Sequence, residues 1–353
     1  MPLPSSPRPK VSVAMITYNH EKCIAQAIES VLMQETTFPI ELVIGEDYST
    51  DNTREIVKRY AALRPDVIQP LLHERNVGMR GNGDAVLEAC RGQYIACLEG
   101  DDYWTSPQKL QRQVDFLDQH PDYSICGHRF MNVFSDHPEW PPSASPVQKE
   151  SGTLRDILRW NYLLTCTVMY RAGLVTGIPT PFKRLRHGDM PLWVLLAQRG
   201  RVGFINEIMG AYRLHRGGVW IGASIDAQIA ALEETINAIH DYLGDDYSRL
   251  RRISLCIRYV EFANKCLGNK DSGKARRLLL RALLKSPTTF CTSAEARTSL
   301  KMLGRSGVLD PVAKGLDRGR QQYYQARIWA GAKRRSVLKT IRGRPGSGGN
   351  GPG

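Results

Sequence analysis

The sequence predicts an α/β fold: a mostly parallel sheet flanked by helices, followed by a helical C-terminal region. Three observations predict it. Short apolar runs alternate with helix-period segments from Val11 to Leu117, at the pitch of βαβ units. The run from Gln93 to Leu98 ends abruptly in Glu99-Gly100-Asp101-Asp102, which puts acids at the end of a buried strand, where open α/β sheets bind ligands. From Asp226 onward every periodic segment reads as helix, broken by Gly and Pro.

The elements follow in order. Val11 to Thr17 is the first strand, and Ile24, Ile28, Val31 and Leu32 recur at helical spacing through Gln34. Glu41 to Gly45 is the second strand, which runs into Glu46-Asp47-Tyr48-Ser49-Thr50-Asp51; a helix follows through Tyr60 and Pro65 breaks it. Val67 to Leu72 is the third strand. A polar Gly/Asn loop is expected over 76–83, with Asp84 capping a short helix to Arg91, and Gln93 to Leu98 is the fourth strand. Past the acids, Pro107 opens a helix with the face Leu110, Val114 and Leu117. Residues 135–152 read as loop. A helix at 154–160, a strand at 166–170, a helix at 190–199 and two short strands near Val202 and Met209 complete this part. The segment 271–287 resembles one helix of a tetratricopeptide repeat, but a single unit builds no solenoid, so a plain amphipathic helix is expected.

Charge divides the chain. Residues 251–353 hold 23 of the 48 Lys+Arg and 5 of the 35 Asp+Glu, a net of +18 against −5 for residues 1–250. An acidic first part and a basic tail suggest two jobs. No apolar run approaches the roughly 20 residues of a membrane-spanning helix. The Pro-rich lead has no apolar signal core. The eight cysteines are scattered without a Cys-x-x-Cys pair, so a reduced, cytoplasmic setting is expected.

Packed acids such as Glu99, Asp101 and Asp102 repel one another and are costly unless a positive group comes to them. A divalent cation carrying a diphosphate answers that need, because hard oxygen ligands suit Mg2+ or Mn2+. Three further patches accompany these acids: Thr17-Tyr18-Asn19, Glu46 to Asp51, and His187-Gly188-Asp189. In order and spacing the four resemble family-2 inverting glycosyltransferases of the GT-A (Rossmann-like) fold, over about residues 10–220. The opening Val-Ser-Val-x-x-x-Thr-Tyr-Asn-x-Glu, with Ser-Val-Leu-x-Gln behind it, carries much of that likeness.

The resemblance implies a role for each patch. Tyr18 offers a ring to a nucleotide base, and the backbone of Thr17 and Asn19 reaches its edge. Asp47 accepts from the base N–H. Asp101 lies by the ribose or metal, Asp102 is the metal ligand, and Glu99 supports it from behind. Asp189, opening a helix, is the general base that takes the acceptor's proton. His215 completes the metal shell, Arg213 and Arg216 beside it touch phosphate, and Gly217 and Gly218 let this segment close over the donor. Ser49 and Asp51 cap the following helix. Tyr48 departs from the family's turn glycine. Trp104 belongs either at the acceptor mouth or in the core.

The expected activity is metal-dependent transfer of a sugar from a nucleotide-sugar, UDP-linked by preference, to a hydroxyl acceptor. A glycan or lipid-linked glycan fits that acceptor, in cell-surface polysaccharide or glycolipid synthesis. Tyr323, Tyr324, Ile328, Val337, Leu338 and Ile341 fall on half of a helical wheel opposite Lys and Arg, which suits an anionic membrane surface on the cytoplasmic side. The competing reading is a nucleic-acid- or membrane-surface-binding protein using the basic C-terminal third. It lacks a nucleic-acid motif and leaves the acids unexplained. A dehydrogenase is argued against, since no Gly-x-Gly-x-x-Gly follows the first strand. The expected organisation is a lead over 1–9, a GT-A glycosyltransferase domain over 10–222, a basic helical region over 223–343 and a disordered tail over 344–353.

Overall fold

The computed structural model describes residues 8–186, 188–215, 217–218 and 220–304. His187, Arg216, the segment 323–342 and the tail lie outside the described residues. The elements run β1 (Val11–Thr17), α1 (Ile24–Leu32), β2 (Ile40–Glu46), α2 (Thr53–Leu63), β3 (Ile68–Leu72), α3 (Gly78–Ala89), β4 (Tyr94–Glu99), β5 (Tyr103–Trp104), α4 (Lys109–Gln119) and β6 (Tyr123–Phe134). Then come β7 (Ser143–Ala144), β8 (Ser151–Gly152), α5 (Leu154–Arg159), β9 (Met169–Arg171), α6 (Thr180–Lys183), α7 (Asp189–Ala197) and β10 (Arg201–Leu214). The helices α8 (Ile225–Leu243), α9 (Ser248–Gly268), α10 (Ser272–Lys285), α11 (Pro287–Thr292) and α12 (Ala294–Gly304) follow.

The sheet has the order β3-β2-β1-β4-β9-β6-β10-β5. Its first four strands are mutually parallel, as βαβ crossovers require. Register places Thr17 opposite Glu46 and Ile16 opposite Glu99, so the ends of β1, β2 and β4 lie side by side. Val11, Val13, Met15, Leu42, Ile44, Ala96 and Leu98 are buried in the core with Ile24, Ile28 and Val31 of α1. That accounts for their unbroken apolar runs.

Three expectations change. The Gly/Asn loop over 76–83 is largely helix, because α3 begins at Gly78. Asn82, fully buried, explains it: its Nδ2 donates to Gly45 O at 2.8 Å and its Oδ1 meets His73 Nε2 at 3.1 Å. Tertiary hydrogen bonds override weak local propensity there. The twelve-residue strand β6 was not expected at all, and the two short strands near Val202 and Met209 are one long bulged strand, β10, paired parallel to it. β9 runs antiparallel between β4 and β6. Arg171 clamps it there, donating to Tyr123 O at 2.8 Å, Leu117 O at 2.6 Å and Tyr94 Oη at 3.1 Å.

The chain forms two compact units, the first ending at Arg251 and the second beginning at Arg252. The first holds the sheet with α1 to α8. In the second, Tyr259, Phe262, Cys266, Leu278, Leu279, Phe290, Leu300 and Leu303 form a helical core. Within it α10 is a single amphipathic helix, capped by Asp271, whose carboxylate accepts from Lys274 N at 2.9 Å. No helix among the described residues is long and apolar enough to cross a membrane.

Candidate active site

The sheet delivers three of the four sequence patches to one edge. Thr17 ends β1, Asp47 follows β2, and Glu99, Asp101 and Asp102 end β4. Gly100 makes this approach feasible. A Cβ there would stand 2.6 Å from Thr17 Oγ1 and 3.0 Å from His20 Nδ1, so only glycine lets the two strand ends meet. The loop after β1 locks onto the loop after β2. Asn19, at φ 55°, accepts at Oδ1 from Thr50 N at 2.8 Å, and its own N–H donates to Ser49 Oγ at 3.0 Å. Asp51 accepts from Thr53 N at 2.9 Å and Glu21 N at 3.1 Å from one residue ahead of the α2 N-cap, Asn52, and Ser49 Oγ bonds the loop after β1 rather than capping the helix as expected.

Tyr48 sits at φ 60°, a left-handed conformation that suits glycine and strains tyrosine by about 1–2 kcal/mol. Its exposed ring lies under the Arg54 guanidinium, 5.3 Å from the ring centroid. Arg54 also bonds the buried carboxylate of Glu46 and His73 O. Beside it, Asp47 is buried and its Oδ1 accepts from Val77 N at 2.7 Å, so the start of α3 orients this carboxylate. Tyr18 is exposed at 42%, presenting its ring to solvent just after β1.

The acids after β4 divide into two kinds. Asp102 is sealed in, and Glu99 is half-buried at the end of β4. Asp102 is 1% exposed, and its Oδ1 accepts from Arg213 N at 2.8 Å. Burial first, then the charge of Asp101, pushes its pKa up. Burial followed by Asp102 and Asp101 raises Glu99 well above the usual carboxylate range. Asp101 faces outward. Its Oδ2 meets His215 Nε2 at 3.0 Å, and His20 Nε2 stands 3.8 Å from the same oxygen. Burial opposes ionisation of Asp101, but the His215 hydrogen bond and the charges of His20 and His215 win, and its pKa falls. The same hydrogen bond raises His215.

Arg213, expected from the resemblance to touch phosphate, also bonds within the protein. It is 9% exposed, its guanidinium bonds Asp101 O and Gln26 Oε1, and it lies 4.5 Å over the Tyr103 ring. It therefore holds the acid turn from beneath. Trp104 is core: 1% exposed, with its indole N–H donating to Cys166 O at 2.8 Å.

Asp189 is the first residue of α7. Its charge acts on Glu99 and on Cys97, which brings the fourth patch to the neighbourhood of the acids. Next to it, a Cβ on Gly188 would stand 3.0 Å from Arg80 Nη2, so α3 lends a cation to this edge.

Among the described residues no three His, Cys, Asp or Glu side chains are already drawn together as a metal shell. The donor set nevertheless fits a divalent cation. Asp101 and His215 form a part-exposed carboxylate–imidazole pair, with the buried Asp102 and the half-buried Glu99 on the same turn. Such an ion takes its remaining ligands from phosphate and water.

The model of Glycosyl transferase family 2 matches residues 12–176. The protein Rv1520 of Mycobacterium tuberculosis, whose name assigns no activity, is 31% identical over 81% of this chain and 83% of its own length. EpsE of Bacillus subtilis, which carries a glycosyltransferase name, is 32% identical over 56% of this chain and 69% of its own. WfaP of Escherichia coli, named a UDP-Glc:alpha-D-GlcNAc-diphosphoundecaprenol beta-1,3-glucosyltransferase, is 26% identical over 59% of this chain and 79% of its own. Among solved structures, residues 1–349 of S. aureus TarS in complex with UDP-GlcNAc superpose with a TM-score of 0.55 at 18% identity, over 89% of this chain and 92% of that one. At that identity the likeness speaks for the fold, a GT-A-like open sheet with a helical C-terminal region.

Proposed function

This chain belongs to glycosyl transferase family 2, and from that premise we propose that it is an inverting transferase acting on a nucleotide-sugar, UDP-linked by preference, and a hydroxyl acceptor. The observation that carries the reading is the meeting of Asp101 with His215 after β4, at the same sheet edge as Asp47, which follows β2 on the far side of β1. Tyr18, with the backbone of Thr17 and Asn19, receives the base, and Asp47 accepts from its N–H. WfaP, by its name, uses UDP-glucose and a diphosphoundecaprenol-linked acceptor, which supports a UDP-sugar and a glycan or lipid-linked glycan here, in cell-surface polysaccharide or glycolipid synthesis.

Asp101 and His215 would hold Mg2+ or Mn2+. The sequence expectation gave the metal to Asp102, but the Arg213 N–H occupies that buried carboxylate, so Asp102 braces the turn and Asp101 takes the ligand's place. The cation, when bound, offsets charge on the departing diphosphate. Asp189 takes the proton of the acceptor hydroxyl while that oxygen bonds the anomeric carbon and the carbon–diphosphate bond breaks on the opposite face, inverting the centre. The N-terminus of α7 favours the ionised form of Asp189 that this step needs.

A panel of nucleotide-sugars tested by thermal shift with and without Mn2+ checks this reading. One UDP-sugar should raise Tm only with the metal; no response across the panel contradicts it.

We also propose a peripheral place on an anionic membrane surface. On the outer face of α10, Leu280 and Leu284 are 58% and 74% exposed, beside exposed Arg277, Arg281 and Lys285. Exposed leucines amid cations support docking on anionic lipid, where each basic residue contributes about 1 kcal/mol. Co-sedimentation with phosphatidylglycerol vesicles but not phosphatidylcholine vesicles, lost in the double variant Leu280→Glu/Leu284→Glu, is the expected outcome. Equal recovery with both lipids contradicts it.

A further inference from the structure

One side chain at the donor edge has no part in the mechanism so far. His20 follows the left-handed Asn19, and its backbone N–H donates to Thr53 Oγ1 at 2.8 Å. The ring is held at both ends. Nδ1 meets Thr17 Oγ1 at 3.2 Å, and Nε2 stands 3.8 Å from Asp101 Oδ2. That oxygen is the one His215 Nε2 approaches at 3.0 Å. Two imidazole nitrogens, one from the loop after β1 and one from the chain after β10, thus converge on one carboxylate oxygen.

Resting on the donor-site reading above, we propose that His20 is a third protein ligand of the cation, joining Asp101 and His215 in a two-histidine, one-carboxylate set. The spacing supports it. Ligands bonded at about 2.1 Å and at right angles to one another stand about 3 Å apart. Asp101 and His215 already have that separation, and His20 reaches it by a small ring movement. Exposure separates the trio from its neighbours: the side chains of His20, Asp101 and His215 are 22%, 19% and 19% exposed, whereas Asp102 is sealed. The contact to Thr17 Oγ1 serves as the orienting hydrogen bond that ligating histidines carry on their other nitrogen. With Nδ1–H donating to that hydroxyl, the lone pair stays on Nε2, toward the metal.

Two imidazoles change which ion the site prefers. Carboxylate and water suit Mg2+, whereas imidazole favours the later transition metals in the order Mn2+ below Co2+ below Zn2+. This chain should therefore take Mn2+ or Co2+ well ahead of Mg2+. His20→Ala should narrow that gap.

The test uses the full chain, Mn2+ and UDP, with pulsed electron paramagnetic resonance counting the nitrogens on bound Mn2+ and calorimetry giving its affinity. The wild type should show two imidazole nitrogens and His20→Ala one, with Mn2+ affinity down at least tenfold. Thr17→Val should keep both nitrogens with a smaller loss. The count on the wild type needs no variant, so misfolding of His20→Ala leaves the result decisive. One nitrogen on wild-type Mn2+, or unchanged affinity in folded His20→Ala, overturns the assignment of His20 alone. A wild type that takes up no Mn2+ overturns the donor-site reading and this inference with it.

Discussion

The two halves of the sheet are built by different rules. β3, β2, β1 and β4 are parallel neighbours joined by local crossovers, and each reads in the sequence as a short apolar run. β9, β6, β10 and β5 are a mixture, with β9 antiparallel to both neighbours and β10 bulged against β6. The first half supplies the acids. The second supplies Arg213, which fixes the acid turn, and leads into His215, which faces its open carboxylate. Local rules lay down negative charge, and long-range pairing brings the groups that make it usable.

That division can be tested by removing one group from each side. Asp101→Asn should abolish metal-dependent donor binding, whereas Asp189→Asn should keep donor binding and lower kcat by roughly a thousandfold, the range for a lost general base. Calorimetry with UDP and Mn2+, beside a transfer assay, separates the two. If Asp189→Asn transfers sugar at the wild-type rate, the base lies elsewhere.

Arg213 links the halves, so its removal should cost stability as well as metal affinity. Arg213→Ala should destabilise by about 3 kcal/mol, from two lost charge-assisted hydrogen bonds in a nearly buried setting. Arg213→Lys should recover little, because a point charge cannot bond Asp101 O and Gln26 together. Urea unfolding midpoints decide this; full recovery in the lysine variant contradicts it.

Lys109 probes the seam from inside. It is fully buried with no hydrogen-bond partner for Nζ among the described residues, and burial lowers its pKa to about 7. The folded state then holds fewer protons than the unfolded chain between about pH 7 and 10.4, so stability rises with pH across that window. Lys109→Met should flatten the slope and stabilise the protein at pH 7 by on the order of 2 kcal/mol. The Trp104 ring, 3.8 Å below Nζ, favours the charged form and limits the effect. An unchanged slope in the variant means the ammonium stays charged.

The smallest effect belongs to the first half. Tyr48→Asn should relieve left-handed strain by about 0.5–1 kcal/mol, a Tm gain of a few degrees, while Tyr48→Val should lower Tm. Scanning calorimetry suffices, and a fall in Tm for the asparagine variant contradicts the strain.

What the sequence reveals follows the same boundary. β1 is legible to the residue, because a central parallel strand must be apolar on both faces. β6 is also central, yet Ser124, Gly127 and His128 interrupt it, and only packing explains their burial. Motif order nominates Asp47, Asp101 and Asp189, but it leaves open which of Asp101 and Asp102 stays open to solvent. Adjacent residues after a strand point to opposite sides, and only the Arg213 N–H decides. Arg213 stands in the segment that the resemblance picks out with His215, but its bonds to Asp101 O and Gln26 leave no mark in the sequence.

The most direct measurement is anomalous diffraction from crystals grown with Mn2+ and UDP. The account predicts one manganese peak bonded to Asp101 and His215, with the uracil beside Asp47 and the carboxylate of Asp189 opening onto the same hollow. Manganese bound away from Asp101, or Asp189 facing a separate cavity, contradicts it.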